Sequence, residues 1–218
     1  MSSIFKFSLV AINLFVSAIA TSLRQHLPFP SQQDHDITPY YANHVAAITG
    51  AGSGMGRELA LHLAKMGCHL ALSDINPEQL AQTKGLLVGY DVKVTTTVLD
   101  VSDNKAVEAW ADSVMAEHSN VNFIFHNAGV ALYSSVEGSS ISELEWVMDI
   151  NCWGVVYGTK AFLPLIKNSV KESEIDGGKK DSKARQFNEH GHIINISSLF
   201  GLTAQPSQSA YNASKFAV

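Results

Sequence analysis

Tyr211 and Lys215 lie four residues apart, one turn of a helix, and Ser198 stands thirteen residues before the tyrosine. A free phenol has a pKa near 10, too high to take a proton at neutral pH. An ammonium one turn away favours the phenolate and brings it into reach. A serine hydroxyl beside the pair can hold an oxygen on which charge builds. Such a set suits removal of a proton from an alcohol, or its delivery to a carbonyl. Ser197 offers a second hydroxyl, and only the spacing to Tyr211 favours Ser198.

A second constellation lies upstream. Thr49-Gly50-Ala51-Gly52-Ser53-Gly54-Met55-Gly56 joins an apolar run to a helical pattern. Gly50, Gly54 and Gly56 permit a tight turn and a close backbone approach. The helix N-terminus behind them presents free N–H groups and a positive dipole end to phosphate. Asp74, with Ile75 after it, follows Gly56 by eighteen residues. An acid there can accept both hydroxyls of a ribose and would repel a ribose phosphate. Ser53 supplies no basic charge in compensation, so NAD is expected ahead of NADP. Hydride transfer between a nicotinamide and an alcohol or carbonyl unites the two constellations.

These residues need a scaffold, and the chain alternates strand and helix from His44 onward. The expected strands are residues 45–48, 70–74, 92–101, 121–126 and 193–196, with helices between them. Met55–Met66 places Leu59, Leu63 and Met66 on one face. Asn76 and Pro77 give the next helix a cap and a first position. One long helix is expected over residues 142–166, and a last one from about Ala210. Such repeats require right-handed crossovers and a parallel sheet with helices on both faces. Residues 168–190 are charged and glycine-bearing and read as a surface insertion. Residues 21–43, with Pro28, Pro30 and Pro39, read as a linker.

Phe7 to Ala20 is an apolar run behind Lys6, ending in Ala18-Ile19-Ala20. That layout suits a signal peptide or a membrane anchor, placing the protein in the secretory pathway or on a membrane, with the cytoplasm as the alternative. The net charge of −5 gives no basic field for nucleic acid. The nine histidines show no paired metal-ligand spacing, so no metal is expected. Cys68 and Cys152 read as buried small hydrophobes. A hydrophobic content of 46% with 16% charge suits a sheet buried under helices.

The glycine loop, Asn127-Ala128-Gly129, Asn151, Ser198 and Tyr211-x-x-x-Lys215 stand in one order. In that order they resemble the ordinary-length branch of the short-chain dehydrogenase/reductase family, over His44 to Val218. The resemblance implies a Rossmann-type doubly wound α/β sheet and a Ser-Tyr-Lys mechanism. It implies that Asp100 and Val101 contact the adenine and that Asn127, Ala128 and Gly129 pass under the cofactor. Asn151 would bind a water on the proton path, and Lys215 with Tyr211 would also touch the nicotinamide ribose. The full-length form would be a homo-oligomer. His126 departs from the family, which usually has Asn or Ala there; it reads as a packed strand-end residue.

The substrate expected is a small alcohol or carbonyl compound. Val130, Ala131, Leu132, Leu199, Phe200 and Leu202 lean the pocket toward a lipophilic one. Val218 follows Lys215 by three residues, so a sheet incomplete at its C-terminal edge is expected. On that basis the chain, expressed without residues 1–20, is expected to be poorly soluble, to bind NAD weakly and to show no turnover. A non-catalytic dinucleotide-binding relative is the alternative function.

Overall fold

The computed structural model describes residues 38–175 and 191–218. The element order is α1 (Thr38–Tyr41), β1 (Val45–Thr49), α2 (Gly54–Lys65), β2 (His69–Asp74), α3 (Pro77–Leu86), β3 (Val94–Val98), α4 (Asn104–His118) and β4 (Phe123–His126). It continues with α5 (Ile141–Met148), a π-helical turn (Asp149–Trp153), α6 (Gly154–Ile175), β5 (His192–Asn195), a 3₁₀ turn (Leu199–Gly201) and α7 (Ser209–Phe216). The five strands form one parallel sheet in the order β3-β2-β1-β4-β5. This is a doubly wound α/β fold, with the order reversing between β1 and β4. Among the described residues, β5 has a strand neighbour on one side only.

Alternation along the strands sorts the core into two layers. Ala46, Ile48, Leu70, Leu72, Phe123 and Phe125 face α2 and α3, which contribute Ala60, Leu63, Ala64 and Leu80. Ala47, Ala71 and Ile124, from the alternate positions, pack with Val107, Trp110 and Val114 of α4 and Phe162 and Ile166 of α6. A period of two on strands buried from both sides explains why β1 is apolar throughout.

Four expectations need correction. The linker ends earlier than residue 43: α1 is folded, and Tyr40 and Tyr41 pack on Phe123. The third strand is short, because beyond Val98 the chain turns at Asp100, whose carboxylate accepts from the Ser102 N–H. The long helix is interrupted at residues 149–153, where Asn151 turns inward. The expected insertion begins late, since α6 runs to Ile175. Ser169 is buried inside that helix, donating to the Leu165 carbonyl and accepting from the Val121 N–H. Residues 1–37 and 176–190, including the apolar N-terminal run, lie outside the described residues. Among the described residues, no helix is long and apolar enough to cross a membrane.

Candidate active site

The site gathers at the C-terminal ends of the strands, where β1 and β4 diverge. Gly50 has φ +65°, and a Cβ there would lie 2.8 Å from Ala128 Cα. Gly54, at φ +51°, opens α2. Gly56 is buried beneath the loop, where a Cβ would meet the Gly50 carbonyl at 2.2 Å. The loop is tied to the end of β4. Asn127 Nδ2 donates to the carbonyls of Thr49 and Gly50, each at 3.0 Å. Thr49 Oγ1 accepts from the N–H groups of Asn127 (3.0 Å) and Ala128 (3.1 Å). Asp74 is oriented by backbone donors, Gly52 N–H on one oxygen at 2.8 Å and Asn76 N–H on the other at 2.9 Å.

Between these elements runs a cleft of about 350 Å³. Of the fourteen residues expected to bind a cofactor, eleven line it: Gly50, Ser53, Gly54, Met55, Asp74, Ile75, Asp100, Val101, Asn127, Ala128 and Gly129. Leu99, Val130 and Ile150 complete the wall. Ser53, Gly54 and Met55 are exposed at the N-terminus of the twelve-residue α2, with φ/ψ of Ser53 extended and its hydroxyl not engaged in the cap. A dinucleotide suits this cradle: a helix N-terminus for its phosphates, an oriented carboxylate at one end and apolar walls between. Gly56 does not reach the cleft surface, and its place is the packing of α2 on the loop. Tyr211 and Lys215 are likewise off this wall.

Lys215 is buried, and its Nζ donates to the Ile196 carbonyl at 2.7 Å. Burial holds its pKa below the ordinary lysine value. The ammonium lies 5.8 Å from the Tyr211 ring centre. A Cβ on Gly129 would sit 3.2 Å from Asn151 Oδ1 and 3.7 Å from Lys215 Nζ, so those groups meet at the cleft's end. Asn151 is fully buried in the π-helical turn. Its amide exchanges two 2.8 Å hydrogen bonds with the backbone of Val130 and donates to Ser214 Oγ at 3.0 Å. A turn that unwinds one residue of helix is a known way to aim a side chain into a site.

Ser198 caps the 3₁₀ turn and accepts from the Phe200 N–H at 3.2 Å. Phe200 then packs edge-on against Tyr211, with ring centres 6.3 Å apart. Ser197 donates instead to the Lys215 carbonyl. Leu199 and Leu202 are exposed, and of the six expected pocket residues Val130 alone lines the cleft. His126 is buried against α6: a Cβ on Gly158 would touch its ring at 2.3 Å, and desolvation lowers its pKa to about 4. It does not line the cleft.

The short chain dehydrogenase family model matches residues 44–218. This chain belongs to that family. The Mycobacterium tuberculosis protein SadH is 46% identical over 174 residues, which are 80% of this chain and 56% of the relative. The structure of a short-chain dehydrogenase/reductase from Burkholderia phymatum in complex with NAD superposes with a TM-score of 0.71 at 34% identity, covering 82% of this chain and 57% of that one. A metagenomic short-chain oxidoreductase in complex with NADP gives 0.70 at 26% identity, with coverages of 82% and 72%. The chain thus spans a little over half the length of SadH. These relatives are called oxidoreductases or dehydrogenases, and the two solved structures hold NAD and NADP.

Several residues of this family member carry the site without having been legible as functional. Ser214 is fully buried and links Asn151 to the Tyr211 carbonyl, to which it donates at 2.8 Å. Its place inside Tyr-x-x-x-Lys is the only signal that points to it. Thr49 opens the glycine motif, and its hydroxyl is spent on β4. Arg57 and Thr83, which bind the carbonyls of the glycine loop, have no sequence signature. Cys152, expected to be buried, is only half-buried, while Cys68 is buried, its thiol pushed up to about 12 by desolvation. Among the described residues, no cluster of His, Cys, Asp and Glu could hold a metal.

Proposed function

We propose that the protein transfers a hydride between NAD(H) and a secondary alcohol or ketone, with Tyr211 as the acid–base, Lys215 and Ser198 beside it, and Asn151 on the proton path. The observation that supports this most is the run of eleven expected residues along one cleft, with Lys215 and Asn151 meeting at its Gly129 end. When bound, the nicotinamide would supply or accept the hydride. Every other task falls to this chain's own groups. The α2 N-terminus and the glycine loop would hold the phosphates. Asp74, already oriented by Gly52 and Asn76, would accept the adenosine ribose hydroxyls, and its charge disfavours a 2′-phosphate. Gly129, with no side chain, leaves room beside Lys215 for the other ribose.

In the alcohol-oxidising direction, Tyr211 as phenolate takes the hydroxyl proton while the Ser198 hydroxyl donates to the same oxygen. The Lys215 ammonium stands 5.8 Å from the centre of the Tyr211 ring. Its own tether to Ile196 O fixes it there. Asn151, its side chain locked to Val130 and Ser214, holds the Val130 segment over the site. The substrate class proposed is small and lipophilic, since Val130 and Ile150 line the cleft and Phe200 packs on Tyr211.

The experiment is NADH formation, followed at its near-ultraviolet absorbance, with a panel of secondary alcohols, alongside fluorescence titration of NADH. Turnover with at least one alcohol would support the reading and overturn the expectation, drawn from the sequence, of no turnover. Tight NADH binding without turnover on any alcohol or ketone would reduce the protein to a dinucleotide-binding relative, and absence of both would overturn the reading.

A further inference from the structure

The glycine loop of a phosphate site carries carbonyls as well as N–H groups. A carbonyl turned into the cleft would repel an anion. Here the carbonyls of Ala51 and Gly52 are both drawn the other way, toward α3. Thr83 of α3 is fully buried, and its hydroxyl lies 3.0 Å from the Ala51 carbonyl and 3.1 Å from that of Gly52. It has one proton to give, so it serves these carbonyls and Gln79 O in turn. As acceptor, the same oxygen takes Arg57 Nε–H at 3.0 Å. Arg57 also donates through Nη2 to the Gly52 carbonyl.

Peptide planarity carries this pull across the loop. With its C=O turned to α3, a trans peptide sends its N–H the opposite way. Gly52 N–H thereby reaches Asp74 Oδ2. Ser53 N–H is opposed to the Gly52 carbonyl in the same sense, at the residue that begins the exposed N-terminus of α2. We propose that Thr83 and Arg57 are positioning residues for the dinucleotide pocket: by drawing the Ala51 and Gly52 carbonyls toward α3, they turn the loop's N–H groups to the cleft and hold Asp74 in place. The inference rests on the dinucleotide reading of the cleft and adds to it. Cofactor preference then depends on a buried threonine of α3 that no cofactor atom touches.

The test uses the full chain and compares Thr83→Val, of nearly the same shape, with Thr83→Ser, which keeps the hydroxyl. Dissociation constants for NADH and NADPH are read by fluorescence, and stability by thermal melting without ligand. Loss of the hydroxyl takes that donor from the Ala51 carbonyl and the acceptor from Arg57 Nε–H, leaving Arg57 Nη2 alone on the Gly52 carbonyl, so Thr83→Val should weaken NADH binding about tenfold. It should also narrow the NADH to NADPH ratio, whereas Thr83→Ser should return both to within about twofold of the unaltered chain. Arg57→Gln, at a half-exposed position, should shift the same two quantities in the same direction, and carries the test if Thr83→Val does not fold. The double variant should be less than additive, because both residues act on the Gly52 peptide. A lowered melting temperature with unchanged affinity and unchanged ratio would mean that the residues only anchor α3, overturning the inference. If the unaltered chain binds neither dinucleotide, the functional reading fails, and this inference fails with it.

Discussion

Tyr211 and Lys215 make separable predictions because their side chains touch different things. Tyr211→Phe removes one oxygen and keeps the ring that packs on Phe200. NADH affinity should stay within about twofold, while turnover falls by roughly 10²–10⁴; more than a few per cent of residual activity would mean that the proton leaves by another route. Lys215→Ala should damage binding as well as turnover, since the ammonium stands at the Gly129 end of the cleft. Asp74→Ala should narrow the preference for NAD over NADP, and equal affinities in the unaltered protein would remove the carboxylate from its assigned role. His126 gives a pH test that needs no cofactor. Its folded pKa is lowered to about 4 by burial, against an ordinary value of 6.5. Between those values the unfolded chain binds a proton that the folded chain does not. Stability therefore rises with pH across the window, is complete above 6.5, and is lost toward pH 4. The slope from this one group is at most about 1.4 kcal/mol per pH unit. His118 is shifted in the same direction by burial and by Lys93, so the measurement is a difference. Urea unfolding of His126→Asn between pH 4.5 and 7 should give a shallower dependence than the unaltered chain, and identical slopes would refute the assignment.

The elements differ in how far their roles were legible. β1, α2 and β2 announce themselves through apolar runs, a glycine turn and an acid at the strand's end, and the cleft they form is the one those signals imply. Gly56 reads as a cofactor glycine by motif but serves as the packing contact between α2 and the loop. A methyl there would drive into the Gly50 carbonyl, a backbone atom that cannot swing aside. Gly56→Ala should therefore cost about 3 kcal/mol or more of stability and abolish NADH binding; a variant that melts and binds like the unaltered protein would show that the helix can slide. The π-helical turn was hidden for a different reason. Residues 142–166 read as one continuous helix, and what breaks it is Asn151 reaching Val130 and Ser214, partners 21 and 63 residues away. α1 was hidden because four residues carry no period, and its stability comes from aromatic contact with β4. The Arg57–Thr83 network is illegible in principle from one sequence: a threonine on a mostly exposed helix looks the same whether its hydroxyl meets water or a loop carbonyl.

On the scale of the whole molecule, the sheet has two working ends. The cofactor cleft occupies the C-terminal ends of the strands, and the opposite end is closed by an aromatic cluster. There Phe123 stacks on His192, with ring centres 5.6 Å apart and planes 8° from parallel, and Tyr40 and Tyr41 pack on the same ring at 5.6 and 5.2 Å. The Tyr40 hydroxyl hydrogen-bonds His192 Nε2 across 152 residues of sequence. α1 thus joins the segment before β1 to β4 and to the first residue of the edge strand β5. This cluster sits at strand starts, so its energy should bear on folding and not on the cleft. Tyr40→Ala deletes a half-buried ring and should cost about 2–3 kcal/mol, allowing for its partial exposure. For a domain of this size that lowers the melting temperature by roughly 5–10 °C. Tyr40→Phe keeps the ring and loses the hydroxyl that bonds His192, and should cost about 1 kcal/mol. NADH affinity of the folded protein should be unchanged in both variants. Melting curves and NADH titration of the two decide the matter together. A Tyr40→Ala protein as stable as the original would mean that α1 merely rests on the sheet, whereas a loss of affinity without a loss of stability would mean that the two ends of the sheet are coupled.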